Sequence, residues 1–223
     1  MVGTLSTPSR APTIHLFGPQ ALAFRAESFS KLKAVLFSVP YNQWILDVIE
    51  TLPGLWDAAS KELSCMQKFP GGQLLQNLAV WIKENTTTEA IFPLPNILLT
   101  PLVVITHLTQ YRRYLEHIDP TYPADNCFQS PIHIQSEALG LCTGLLAAIA
   151  VSSSTNLEEF RRNGAAAIRL AMLIGALVDS ENENNSEGGA ISQSITWNSL
   201  RSQVKMLEII KQFPQVSYNQ LKF

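Results

Sequence analysis

Apolar residues in this chain follow two spacings. Between Ser28 and Glu84 they recur every three or four positions, at Phe29, Leu32 and Leu36, then Trp44, Val48 and Leu52, then Leu75, Leu78, Val80 and Ile82. That is the stripe of a run of amphipathic helices. The same spacing predicts a longer helix from Asn96 to Ile118 through Leu98, Leu102, Ile105, Leu108, Tyr111 and Leu115, with Asn96 as N-cap and Pro101 near the first turn. Further helices are expected over Leu145–Val151, Leu157–Val178 and Trp197–Phe213. Extended segments are few and short. Thr13–Phe17 reads as a buried strand stopped by Gly18-Pro19, Ile132–Leu139 as a second, and Val216–Phe223 as the start of another. Helices around a few strands predict an α/β layer fold.

Composition narrows the function classes. A chain of 223 residues, 46% hydrophobic and 15% charged, buries a sizeable core and amounts to one domain or one and a half. With 16 Lys plus Arg against 18 Asp plus Glu and no basic run, nothing focuses a field on a phosphate backbone, so nucleic acid is excluded as a partner class. Met1–Pro12 is polar and lacks the apolar core of a targeting signal, which makes the cytosol the default compartment. The longest nearly apolar run, Leu139–Val151, falls short of the roughly 20 residues that span a bilayer, so no membrane is expected as a partner. Cys65, Cys127 and Cys142 are an odd set without CxxC spacing, which predicts neither a disulfide framework nor a metal site. Ser180–Ser194, rich in Glu, Asn, Ser and Gly, reads as a linker.

One motif carries chemistry. In Gly140-Leu141-Cys142-Thr143-Gly144 a cysteine sits between an extended segment and an apolar helix. A strand turning sharply into a helix strains its corner residue and lifts that side chain clear, and small residues two places either side let strand and helix pass. This is the G-x-S-x-G nucleophile elbow with cysteine for serine. The corner also faces the N–H groups and positive dipole end of the helix, which favour a thiolate and a developing oxyanion. Most free cysteines are instead small buried hydrophobes, and Cys65 and Cys127, without glycine framing, keep that reading.

Four ordered blocks extend the picture: Phe17-Gly18-Pro19-Gln20, Leu98 through Thr106 (LLTPLVVIT), Gly140 through Gly144, and Ala167 through Gly175 (AIRLAMLIG). Over roughly Ala11 to Asn219 the chain resembles the starter-unit acyltransferase domain at the N-terminus of fungal non-reducing polyketide synthases. The resemblance implies a malonyl-acyltransferase-like fold, an α/β-hydrolase-like core with an inserted ferredoxin-like subdomain. It implies acyl transfer from coenzyme A or a partner fatty-acid synthase onto Cys142, and then to the phosphopantetheine of an acyl carrier protein. No bound cofactor is implied. Gln20 matches the position whose backbone N–H helps form the oxyanion hole, and the N–H of Thr143 would be the second donor.

Two departures from the family pattern stand out. Malonyl-specific relatives place an arginine before the glycine of the helix after the elbow, to clamp a free carboxylate. Here Ile174 precedes Gly175, and Arg169, five residues or about 140° away on a helix, is expected in a structural ion pair. The family's catalytic base is a histidine well after the cysteine, whereas His15, His107, His117 and His133 all precede Cys142. His15 is expected in the core or at an edge, His107 and His117 on a helix surface, and His133 nine residues before the elbow.

The expected layout is a flexible 1–12, an acyltransferase core over 13–179, a linker over 180–194, and at 195–223 the start of the smaller subdomain, cut short. Three readings stay open: an acyltransferase domain; a catalytically incomplete fragment with at most a binding role; and a G-x-S-x-G-type hydrolase, for which Asp179 or Glu181 would supply the acid but no histidine follows.

Overall fold

The computed structural model describes residues 13–19, 26–38, 42–67, 69–83, 94–118 and 124–184, together with Val204 and Glu208. The chain divides into two compact units, Met1–Gly189 and Ala190–Phe223, the first of which contains Cys142 and every described residue except Val204 and Glu208. Those two are helical. Gln20, the N-terminal segment, and the rest of the expected helix and strand between Trp197 and Phe223 lie outside the described residues.

In chain order the elements are β1 (Ile14–Phe17), α1 (Ala26–Ser38), α2 (Gln43–Glu62), a 3-10 turn (Ser64–Met66), α3 (Gly71–Lys83), α4 (Asn96–Ile118), a second 3-10 turn (Ala124–Gln129), α5 (Pro131–Ile134), β2 (Glu137–Gly140), α6 (Gly144–Ser152) and α7 (Leu157–Asn184). Helices dominate, and β1 and β2 form one small parallel sheet in the register Ile14 with Glu137 through Phe17 with Gly140. This is compatible with an α/β acyltransferase-like domain.

The core is built on α4. Of its residues Leu98, Leu102, Ile105, Leu108 and Leu115 are at most 1% exposed, the stripe that the three-four spacing marks. Packed along it lies α7, whose inner side carries the small or slim residues Ala167, Ile168, Ala171, Met172 and Ala176. A Cβ on Gly175 would stand 2.2 Å from the Asn96 carbonyl oxygen, so only glycine lets the two helices approach there. By length and composition Leu157–Glu181 is apolar enough to cross a membrane, but half of its most apolar stretch is buried inside the fold, as in a core helix.

Several expectations are corrected. Ile132–Leu139 is not one extended stretch. Ser130 caps a helical turn by accepting from the Ile132 N–H at 3.1 Å, with Pro131 at its first position, so Pro131–Ile134 is α5 and the strand begins only at Glu137. The linker does not begin at Ser180. Helix α7 continues to Asn184, with the Ser180 hydroxyl donating to the Ala176 carbonyl and Asp179 buried. Asn96 is the first residue of α4 rather than its cap. The Asp179 carboxylate, 83 residues later, accepts from the Asn96 N–H at 3.1 Å and the Ile97 N–H at 2.8 Å, satisfying donors that the first turn leaves open.

Candidate active site at the strand-to-helix corner

β2 ends at Gly140, α6 begins at Gly144, and Cys142 turns the corner between them. Its φ of 55° is the one positive value among the described non-glycine residues. Left-handed backbone costs a side-chain-bearing residue roughly 1–2 kcal/mol, so the corner persists because its surroundings impose it. Both flanking glycines supply that constraint. A Cβ on Gly140 would lie 2.4 Å from the Leu145 Cα, and one on Gly144 would lie 2.2 Å from the Phe17 carbonyl oxygen and 2.4 Å from that of Gly18. All three obstacles are backbone and none can swing aside. The Leu141 N–H closes the corner against β1 by donating to the Phe17 carbonyl at 3.0 Å.

The strained corner exposes the thiol. Among the described residues its one hydrogen-bond neighbour is the Thr143 hydroxyl, with Sγ and Oγ1 3.8 Å apart. Thr143 itself is buried, and its N–H donates to no backbone carbonyl among the described residues, whereas the Gly144 and Leu145 N–H groups bond to the Leu141 and Cys142 carbonyls at 3.0 Å each. Among the described residues, one donor at the start of α6 is thus left beside the thiol. The turn that leads to Gln20 touches the same corner through Phe17 and Gly18. Gln20 falls outside the described residues.

Cys127 differs in every respect. It is buried at 1% exposure, and burial pushes its thiol up to about 11. Ile174 lies on the outer side of α7 at 41% exposure. Among the described residues the structural ion pair expected of Arg169 is not formed; its guanidinium donates to the Thr51 hydroxyl at 3.4 Å.

None of the four histidines bonds to Cys142 among the described residues. His133 Nε2 meets the Ser154 carbonyl at 2.6 Å and His133 Nδ1 the Tyr111 hydroxyl at 2.7 Å. His15 Nε2 lies 3.1 Å from the Ser136 hydroxyl. His117 is exposed at the end of α4, as its helical position predicts. His107 is not a surface residue. It packs edge-on against Phe17, ring centres 5.7 Å apart, and its Nδ1 is buried without a partner among the described residues. Asp179, the acid weighed for a hydrolase, is committed to the α4 N-terminus through both carboxylate oxygens. Periodicity misses these roles for His107 and Asp179 because both depend on elements distant in the chain.

A family model described as starter unit:ACP transacylase in aflatoxin biosynthesis matches residues 16–219. The chain is 42% identical over 219 residues to the non-reducing polyketide synthase pigA of Monascus ruber, covering 96% of this chain and 8% of that protein. It is 40% identical over 211 residues to the clavatol synthase claF of Penicillium crustosum, covering 94% of this chain and 8% of the synthase. Against a citrinin polyketide synthase of Monascus ruber it is 38% identical over 215 residues, with 96% and 8% covered. The chain thus spans about 8% of the length of these relatives.

Proposed function

From the premise that this chain belongs to the starter-unit transacylase family of polyketide synthases, we propose that it carries the nucleophile of a cysteine-based transacylase. Its fold is read as malonyl-acyltransferase-like, with the ferredoxin-like subdomain absent or only begun in the second unit. The thiolate of Cys142 attacks the carbonyl carbon of an acyl thioester, the tetrahedral oxyanion forms, and the donor thiolate leaves. Cys142 then holds the acyl group as a thioester. A second attack, by the phosphopantetheine thiolate of an acyl carrier protein, reverses these steps on the acceptor and returns Cys142 as the thiolate. Acyl-coenzyme A or a fatty-acid synthase is the donor, and the cytosol the setting. The carrying observation is the exposed Cys142 in left-handed backbone at the start of α6, beside a Thr143 N–H that donates to no backbone carbonyl among the described residues. A preorganised donor beside the reacting carbon is the usual source of oxyanion stabilisation. The Gln20 N–H is the second donor in this reading.

Ile174 offers no charge to a donor's free carboxylate, and Arg169 is engaged at Thr51. Uncharged donors such as acetyl thioesters are therefore favoured over malonyl, by on the order of tenfold or more once partial exposure is allowed for. Incubating the protein with each donor and recording intact mass tests this. An acetyl adduct that disappears in Cys142→Ala is expected, and a malonyl preference contradicts the role of Ile174. A second reading, a catalytically incomplete unit with at most a binding role, is favoured by one observation. His15, His107, His117 and His133 all precede Cys142 in this sequence, and none of them bonds to it among the described residues. A positioned acid–base group contributes roughly 10²–10⁴-fold. Slow self-acylation with still slower transfer to carrier protein is the outcome on which the two readings meet, and enzyme-like turnover by the chain alone would exclude the second.

A further inference from the structure

Each element of the elbow has a second end. β1 and β2 run from Ile14 and Glu137 up to the corner, and α6 runs back from it to Ser152. At that far end two histidines meet one tyrosine. His133, on α5, bridges from α4 to the turn after α6 through Tyr111 and the Ser154 carbonyl. His15, on β1, stands edge-on to Tyr111 at 4.9 Å and to Tyr114 at 5.0 Å, and reaches Ser136 just before β2. His15, Tyr111, His133 and Ser154 line one cavity of about 530 Å³.

The partners decide the protonation state. A carbonyl only accepts, so His133 Nε2 carries the hydrogen, and in the neutral ring Nδ1 is then the acceptor for the Tyr111 hydroxyl. Tyr111 is 4% exposed. Protonating His133 turns Nδ1 into a donor, and the buried Tyr111 O–H loses its acceptor. The Ser136 hydroxyl donates to the Ile132 carbonyl, so it accepts from His15 Nε2, and a second proton on His15 adds charge beside the same tyrosine. We propose that the His15–Tyr111–His133–Ser154 cluster is a pH-sensitive clamp. Neutral, it pins the base of the β1–β2–α6 unit to α4; protonated, it releases that base and loosens the corner above it.

The surroundings agree. Burial holds His15 below the ordinary histidine value, with the His133 charge lowering it further. Burial likewise lowers His133, against a smaller opposing contribution from the Ser154 carbonyl, and it lowers His107, one turn before Tyr111 on α4. Other ionisable groups around the cluster are Tyr114 and the Arg112–Glu116 pair on α4, Cys127 in the 3-10 turn, Glu137 on β2 and Glu159 on α7. Of these Glu137 is the carboxylate lining the cavity, and burial is the larger cause of the lowered direction at both histidines. Because the folded state binds these protons less readily than the unfolded chain, stability is full above pH 6.5 and is lost as pH falls below it.

The test is urea unfolding of the full chain from pH 7.5 to 5.0, alone and with His15→Asn, His133→Gln and both. Below pH 6.5 the unfolding constant of the unsubstituted protein should rise by up to about tenfold per pH unit for each histidine, and each substitution should remove one such factor. Amide protection at Leu141 and Gly144 should fall over the same range while that of α2 and α3 persists. If a variant does not fold, nuclear magnetic resonance titration of the unsubstituted protein decides, with His15 and His133 titrating below 6.5. A double variant that keeps the full pH slope, histidines titrating at or above 6.5, or elbow amides unchanged at pH 5.5 would each overturn the proposal. None of these readouts depends on acyl transfer.

Discussion

At the upper end of β1 and β2 the chain is shaped by the absence of side chains, and at the lower end by side chains that pair with one another. Gly140 and Gly144 let backbone touch backbone, so that Cys142 is forced outward in a strained conformation with its thiol exposed. His15, Tyr111, His133 and Ser136 instead spend their polar atoms internally. Among the described residues, the upper end leaves a nucleophile and a donor open. At the lower end both nitrogens of His133, the Tyr111 hydroxyl, His15 Nε2 and the Ser136 hydroxyl are paired, so the histidines there read as structural although histidine is the residue most often associated with acid–base work. Residue type alone does not separate the two roles; unspent hydrogen-bonding capacity does.

The contrast is broken most severely at Gly144. Gly144→Ala puts a methyl against the Phe17 and Gly18 carbonyls, and about 3 kcal/mol or more of stability should be lost, read from the urea midpoint. A shift below about 1 kcal/mol would mean that the strand and helix separate easily and that the corner is not constrained.

A smaller effect is expected where α7 holds α4. Asp179→Ala removes the acceptor for the Asn96 and Ile97 N–H groups and the Asn96 side-chain amide, at a cost of about 2 kcal/mol. Asp179→Asn, which keeps one acceptor, should fall between. Equal stability of all three proteins would show that solvent caps this helix.

The smallest effect has the opposite sign. Cys142→Gly removes the left-handed penalty at φ 55° and should raise stability by about 0.5–1 kcal/mol while ending acylation. A destabilised glycine variant would mean that the corner holds no strain.

Much of the fold is legible in the sequence, unevenly. The span of α4 follows from spacing alone, because its apolar stripe is long and nearly all of it is buried. The elbow glycines are legible as a motif, since the close approach of strand and helix is local. α5 reads as strand because Ile132 and Ile134 alternate, although Ser130-Pro131 carries a helix-start signal. Asp179 and His107 are not legible at all. Each acquires its role from an element distant in the chain, α4 for Asp179 and β1 for His107, and spacing along one helix does not encode that. The extent of α7 is hidden by its polar last turns, which continue a helix already anchored by packing.

That Cys142 is the nucleophile is tested most directly by limiting alkylation with peptide mapping near neutral pH. Cys142 is exposed at a helix start, whereas burial pushes the Cys127 thiol up to about 11, so label is expected on Cys142 first and almost alone. An equal distribution over Cys65, Cys127 and Cys142 would contradict it.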